Sequence, residues 1–169
     1  MVTQVREIVE LGEIKVTRNR SVVYVLPSVG SGVAISLYDQ QARVGAVAHI
    51  ILPEAPPGTP TVEETGKPAK FADLAIPILV DEFTKAGGQI RFAMARMIGG
   101  AQLFNFGGGA GNTLNTGTRT ATAIRSALTQ KGIVVDKTDL GGNKPRQMRF
   151  IIATGQLFVK AAGDKDYML

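Results

Sequence analysis

Few side chains in this sequence are suited to chemistry, and their identities narrow what it could do. Its 169 residues include one histidine, His49, and no cysteine, which excludes thiol nucleophiles, thiolate metal sites and disulfides. An imidazole can act as a general base at neutral pH when a nucleophile lies within hydrogen-bond reach. A lone histidine in an apolar strand is, however, more often a hydrogen-bonded packing residue. As a metal ligand His49 lacks companions, because no second His or Cys exists and the acidic residues show no ligand spacing. Ser31 is a poor substitute nucleophile. A hydroxyl needs a strong base aimed at it, and adjacent residues of an extended segment point to opposite sides. The run Gly107-Gly108-Gly109-Ala110-Gly111 precedes no Gly-Lys-Ser/Thr and fits no dinucleotide fingerprint, so it reads as a flexible loop.

The elements that would position these residues follow from apolar patterning. Ile14 to Val16 and Val22 to Leu26 read as strands around the polar break Arg18-Asn19-Arg20. Val33 to Tyr38 and Val44 to Ile51 read as an antiparallel hairpin across Asp39-Gln40-Gln41. That hairpin makes Gly32 and His49 neighbours. Pro53 to Pro68 is a proline-rich surface loop. Leu74, Ala75, Ile78, Leu79 and Phe83 predict a buried helical face stopped at Gly87-Gly88, with Pro77 acceptable only in the first turn. Ile90, Phe92 and Met94 alternate as the buried side of a strand ending before Gly99-Gly100. Ala121, Ile124, Ala127 and Leu128 predict a second helix, capped by a Thr-rich stretch and closed at Lys131-Gly132. Ile133 to Val135, Met148 to Ala153 and Leu157 to Lys160 read as strands, the last two joined at Thr154-Gly155. This order predicts a single α+β domain over residues 1–169, with mixed or antiparallel sheet layers flanked by two main helices.

Composition excludes several classes. Hydrophobic residues make up 44% and charged residues 20%, as in ordinary globular chains. No apolar run is long enough for direct membrane insertion, and Met1 to Glu7 lacks a secretion-signal layout, so the expected location is cytoplasmic. The +5 net charge is spread along the chain without basic runs or interleaved aromatics, which argues against nucleic acid. Arg91 and Arg96 read as a solvated strand face or as contacts to acidic helices. No cofactor is called for.

The segment Gly30-Ser31-Gly32-Val33-Ala34-Ile35-Ser36-Leu37-Tyr38-Asp39, followed by Ala48-His49-Ile50-Ile51-Leu52-Pro53, resembles the signature of the CheD family of chemoreceptor glutamine deamidases. Four further elements are similar in the same order: Gly99-Gly100-Ala101 with Ile98 in the aromatic place, Gly117-x-Arg119 with Thr120 replacing an asparagine, Asp139-Leu140-Gly141-Gly142-Asn143, and Ala153-Thr154-Gly155. The resemblance implies a fold related to cysteine-dependent deamidase toxins and a Cys-His-Thr catalytic trio. It places the histidine on His49 and the cysteine on Gly32. The threonine falls on Leu26 without a gap, with Ser28 the nearest hydroxyl. Gly30, Ser31, Gly99, Gly100 and Phe104 would line the partner-binding rim.

Deamidation requires a nucleophile at a carboxamide and an acid for departing ammonia, and glycine supplies no attacking atom. The resemblance therefore implies a catalytically degenerate relative, a pseudoenzyme of chemotaxis signal transduction. It would act by binding chemoreceptor cytoplasmic helices or a CheC-like phosphatase. The alternative is a genuine protein-glutamine deamidase, a hydrolase of C–N bonds, whose present sequence carries an inactivating Cys-to-Gly change.

Overall fold

The computed structural model describes residues 3–60, 66–103 and 115–169. Ten strands and two α-helices run in the order β1 (Val5–Ile8), β2 (Ile14–Thr17), β3 (Val22–Val29), β4 (Val33–Asp39), β5 (Val44–Ile50), α1 (Ala72–Lys85), β6 (Ala93–Gly99), α2 (Thr116–Gln130), β7 (Val134–Leu140), β8 (Arg146–Ile151), β9 (Leu157–Ala161) and β10 (Tyr167–Met168). They build two five-stranded mixed sheets, ordered β1-β3-β8-β9-β10 and β2-β5-β4-β6-β7. The architecture is α+β, as the order of apolar segments predicts.

Strands β4 and β5 carry this arrangement. Every residue of both is buried, because the second sheet is covered on both faces. Alternation divides their side chains. Val33, Ile35, Leu37, Val44, Ala46, Ala48 and Ile50 face a core shared with α1 and α2. Ala34, Tyr38 and Val47 face the first sheet, against Tyr24, Leu26, Phe150 and Leu157. A continuous apolar run is what two-sided burial requires of a strand.

Several local expectations shift. Helix α1 buries Ala72, Ala75, Ile76, Leu79, Val80 and Phe83, whereas Leu74 is exposed and Ile78 half-buried. The face is rotated from the one expected because the sheet selects the stripe with the smaller residues, Ala72 and Ala75, at its N-terminal end. Pro77 lies inside the helix, beyond its first turn, on the exposed side. Ile90–Phe92 forms a 3-10 turn, and the alternation in β6 has the opposite phase. Ala93, Ala95 and Met97 are buried while Met94 is 44% exposed, since small side chains let α1 and α2 lie close to the strand. Helix α2 is capped by Asn115, whose side chain accepts from the Gly117 N–H, in place of the threonines. Of its expected buried positions, Ala127 is only half-buried.

Polar contacts tie the sheets together at the end remote from His49. The Tyr38 hydroxyl donates to the Ile152 carbonyl at 2.9 Å, and Arg96 donates to the Gly155 carbonyl at 2.9 Å while lying 3.6 Å from the Asp136 carboxylate. Arg96 is thus a clamp between sheets, not a solvated strand residue. Gly155 has φ +75°, and a Cβ there would lie 2.3 Å from the Tyr38 ring, so both conformation and space demand glycine. Urea denaturation is expected to show Gly155→Ala destabilised by about 2 kcal/mol or more. Tyr38→Phe, which only orphans one carbonyl, is expected to cost about 1 kcal/mol.

Candidate functional site

The site forms where β4 begins and β5 ends. Ala34 pairs with His49 in the antiparallel register, and alternation puts position 32 on the same side of the sheet as Ala34. The two candidate positions therefore meet. A Cβ built on Gly32 would lie 3.4 Å from His49 Nε2 and 3.6 Å from Cδ2. It would also lie 2.7 Å from the Ile50 carbonyl oxygen, a backbone contact that leaves a side chain at 32 too little room unless the strand moves.

His49 is 4% exposed, and its Nε2 is buried without a hydrogen-bond partner. It is therefore not the satisfied packing histidine that an apolar strand would suggest. Burial pulls its pKa down from the ordinary 6.5 to about 4, because no facing anion offsets the loss of hydration of the charged form. The imidazole is neutral at pH 7 and can accept a proton. A thiol on a Cβ at position 32 would be within its reach; glycine offers it nothing.

The backbone around Gly32 is held by a second turn. The Gly100 N–H donates to the Gly32 carbonyl at 2.8 Å and the Ala101 N–H to the Gly30 carbonyl at 3.0 Å. Gly99, at φ +110°, approaches so closely that a Cβ would lie 2.5 Å from the Gly32 oxygen. Gly100 abuts Gly117 at the start of α2, where a Cβ on Gly117 would lie 2.4 Å from the Gly100 Cα. Thr120, in the asparagine place, is fully buried and donates to the Thr116 carbonyl within the helix. Beside this turn a depression of about 260 Å³ is lined by Gly100, Gly117, Thr118, Arg125 and Gly141.

Behind the turn stands a brace that sequence reasoning missed. The Gly141 N–H donates to the Gly99 carbonyl at 2.9 Å and the Gln102 N–H to the Gly142 carbonyl at 2.8 Å. Arg146, 8% exposed, pairs through Nη2 with Asp139 Oδ1 at 3.0 Å and reaches the Gly99 carbonyl at 3.4 Å. The Tyr167 hydroxyl donates to the other Asp139 oxygen, and burial together with that carboxylate holds the phenol pKa well above its usual value. A signal was available, since Arg146 shares parity with Met148 and Phe150 and so stands on the buried face of its strand.

The remaining candidates separate. Ser31 is exposed while Gly32 is buried, the opposite-sided arrangement expected of neighbours. Ser28 does not join the pair. A register shift between Leu26 and Val29 leaves Pro27 and Ser28 exposed, where Ser28 lines a depression with Pro145, Gln147 and Lys160 that includes neither Gly32 nor His49. Leu26 is fully buried between the sheets. Leu103 borders Gly30, where a Cβ would lie 2.8 Å from its Cδ1, whereas Phe104 and Gly107 to Gly111 lie outside the described residues. Among the described residues no helix is long and apolar enough to cross a membrane.

A buried imidazole beside a glycine, cradled by two glycine turns, is what the geometry presents. Comparison with known proteins gives the family. The model described as CheD chemotactic sensory transduction matches residues 51–161, beginning just beyond His49. The chain is 35% identical over 94% of its length, and 93% of the relative's, to the chemoreceptor glutamine deamidase CheD of Thermotoga maritima. It is 38% identical over 80% of its length to a protein named probable chemoreceptor glutamine deamidase CheD from Desulforamulus reducens, covering 78% of that relative. A protein of the same name from Clostridium botulinum is 36% identical, with 80% of each chain covered. The chain belongs to the CheD family.

The single histidine makes its titration directly readable. Because the folded pKa lies below the unfolded one, stability is complete above pH 6.5 and falls as pH drops towards about 4, where the folded state also takes the proton. The imidazole proton resonances are expected to titrate near the lower value. The loss attributable to His49 over this window is at most about 3 kcal/mol, and His49→Gln is expected to remove that component of the pH dependence of urea unfolding. A resonance titrating at an ordinary histidine pKa would contradict the buried, unpartnered imidazole.

Proposed function

We propose that this chain, acting as one domain over residues 1–169 in the cytoplasm, is a CheD-family protein that has lost deamidase chemistry and works by binding. Its partners are chemoreceptor cytoplasmic helices or a CheC-like phosphatase. The observation that carries the reading is the buried, unpartnered His49 Nε2 facing a position that has no side chain. The base is present and the attacking atom is not. Neither serine supplies a substitute, since Ser31 points to solvent and Ser28 lies elsewhere. The rim survives such a loss because its shape and hydrogen bonds are made by backbone, and a cleft can recognise an extended segment without an attacking atom. That the relatives are named for receptor deamidation supports receptor helices as the first partner to test.

The second reading, an active deamidase carrying a Cys-to-Gly change, draws support from the alignment of position 32 with Nε2. The two readings differ over the Ile50 carbonyl. In a scaffold settled around glycine, Gly32→Cys collides with it and is expected to lose about 1–3 kcal/mol, with at most a trace of activity. A recently lost cysteine would instead give Gly32→Cys a normal melting temperature and full deamidation.

Two measurements test the binding reading. Mass spectrometry of glutamine-bearing receptor cytoplasmic fragments incubated with the unaltered chain is expected to show no glutamate above background, and time-dependent conversion would overturn it. Titration calorimetry against the same fragments and against a CheC-like phosphatase is expected to give measurable affinity for at least one, weakening with ionic strength because complementary charges are screened. Absence of affinity for both would remove the proposal.

A further inference from the structure

The end of the molecule farthest from Gly32 and His49 gathers arginines that no carboxylate neutralises. Arg18 and Arg20 stand in the β2–β3 turn, Arg43 in the β4–β5 turn and Arg91 just before β6, and all four are exposed. Local contacts connect them into one surface. The Arg18 guanidinium lies against Gly87, 3.4 Å from where a Cβ would stand. Arg91 donates to the Gln89 side chain, whose backbone N–H donates to Asp39. Asp39 also accepts from the Gln41 and Ala42 N–H groups in the turn that holds Arg43. Arg43 and Arg20 both act on the Tyr38 phenol.

Among the described residues none of these four arginines forms an ion pair, while Asp39, Asp136 and Asp81 are committed elsewhere. Asp39 is fully buried and serves three backbone N–H groups. Asp136 pairs with Arg96, and Asp81 pairs with Lys85, on which Glu82 also acts. Arg43 adds a second observation. It is the one non-glycine residue at positive φ among the described residues, at 54°, a conformation that glycine or asparagine adopts at lower cost. The turn keeps an arginine there whose Nη1 donates to the Ala153 carbonyl at 3.0 Å, so part of its retention is structural, while the side chain stays exposed.

We infer that this arginine-bearing end is a docking surface for an acidic, carboxylate-rich segment of a partner protein, separate from the Gly32–His49 cleft. Guanidinium groups match carboxylates with paired donors. Met94 and Val134, exposed by 44% and 66% and paired across β6 and β7, add the apolar contact that a polypeptide uses. They lie on strands and do not protrude as loop residues that would enter a bilayer. Phe92, the aromatic beside these arginines, is half-buried and covered by the Arg91 guanidinium at 4.6 Å, which leaves little ring face for a base.

The test uses the intact chain with poly-L-glutamate as the acidic probe, and phosphatidylglycerol vesicles and single-stranded RNA as competing classes. The variant Arg18→Gln, Arg20→Gln, Arg43→Gly, Arg91→Gln is expected to weaken poly-L-glutamate binding by about tenfold or more. A charge-matched control, Lys70→Gln, Arg119→Gln, Lys160→Gln, Lys165→Gln, is expected to stay within about twofold if the patch and not net charge decides. Arg43→Gly alone removes a charge and the bond to the Ala153 carbonyl while relieving the backbone, so it is expected to weaken binding with a melting temperature close to the parent's. An equal fall in the control, no binding by the parent, or tighter arginine-dependent binding to vesicles or RNA would each overturn the inference. His49→Gln leaves this binding unchanged, so its outcome is independent of the reading of the cleft.

Discussion

Three backbones meet at Gly99 and Gly100 more closely than side chains allow, and the rest of the molecule is arranged around that contact. Gly99 lies over the Gly32 carbonyl, Gly100 donates to the same oxygen, and Gly117 brings α2 against Gly100. A methyl group at Gly99 or Gly117 would separate a strand end from the segment it supports. The glycines that read as isolated turn markers along the chain are thus one packed junction. It sets the position of Gly30 to Gly32 relative to His49, because β4 leaves the junction and β5 returns to it. Asp139 and Arg146 hold the junction from behind, joining the last strand of one sheet to the other sheet.

That junction makes the cradle independent of any side chain at position 32. Activity in a Cys-His hydrolase depends on one sulfur, whereas the cradle here is made of carbonyls, N–H groups and missing side chains. Glycine at position 32 leaves those features intact and gives the imidazole no side-chain partner there. The depressed pKa of His49 follows from burial, with no charged group beside it to offset the desolvation. Binding and catalysis separate because they rest on different atoms.

Much of this was legible in the residues. The β4–β5 hairpin could be read from two continuous apolar runs around Asp39, and the meeting of Gly32 with His49 followed from antiparallel pairing alone. The helices were found by period, but their faces were not, because periodicity fixes a stripe only to within a neighbouring row and the sheet makes the final choice, as at Ala72 and Ile76. β6 was read in the wrong phase for a related reason. Its buried residues are alanines, and Met94 carried the stronger apolar signal while facing solvent. β1 escaped because Val5-Arg6-Glu7-Ile8 is a polar edge strand whose parallel pairing with β3 leaves no local mark. Ser28 was misplaced by a register shift that no sequence pattern announces, and Arg146 was overlooked although its strand parity was available.

The double coverage of β4 and β5 also has a dynamic meaning. Strands buried on both faces exchange their amide hydrogens only when the molecule opens globally, because no partial opening exposes them without breaking both cores. Gly32 and His49 are attached to the ends of those strands, so the cleft is mounted on the last part of the protein to come apart. An edge element such as β1 can fray many times while the cleft keeps its shape. For any partner that docks there, a rigid receiving surface limits the ordering entropy lost.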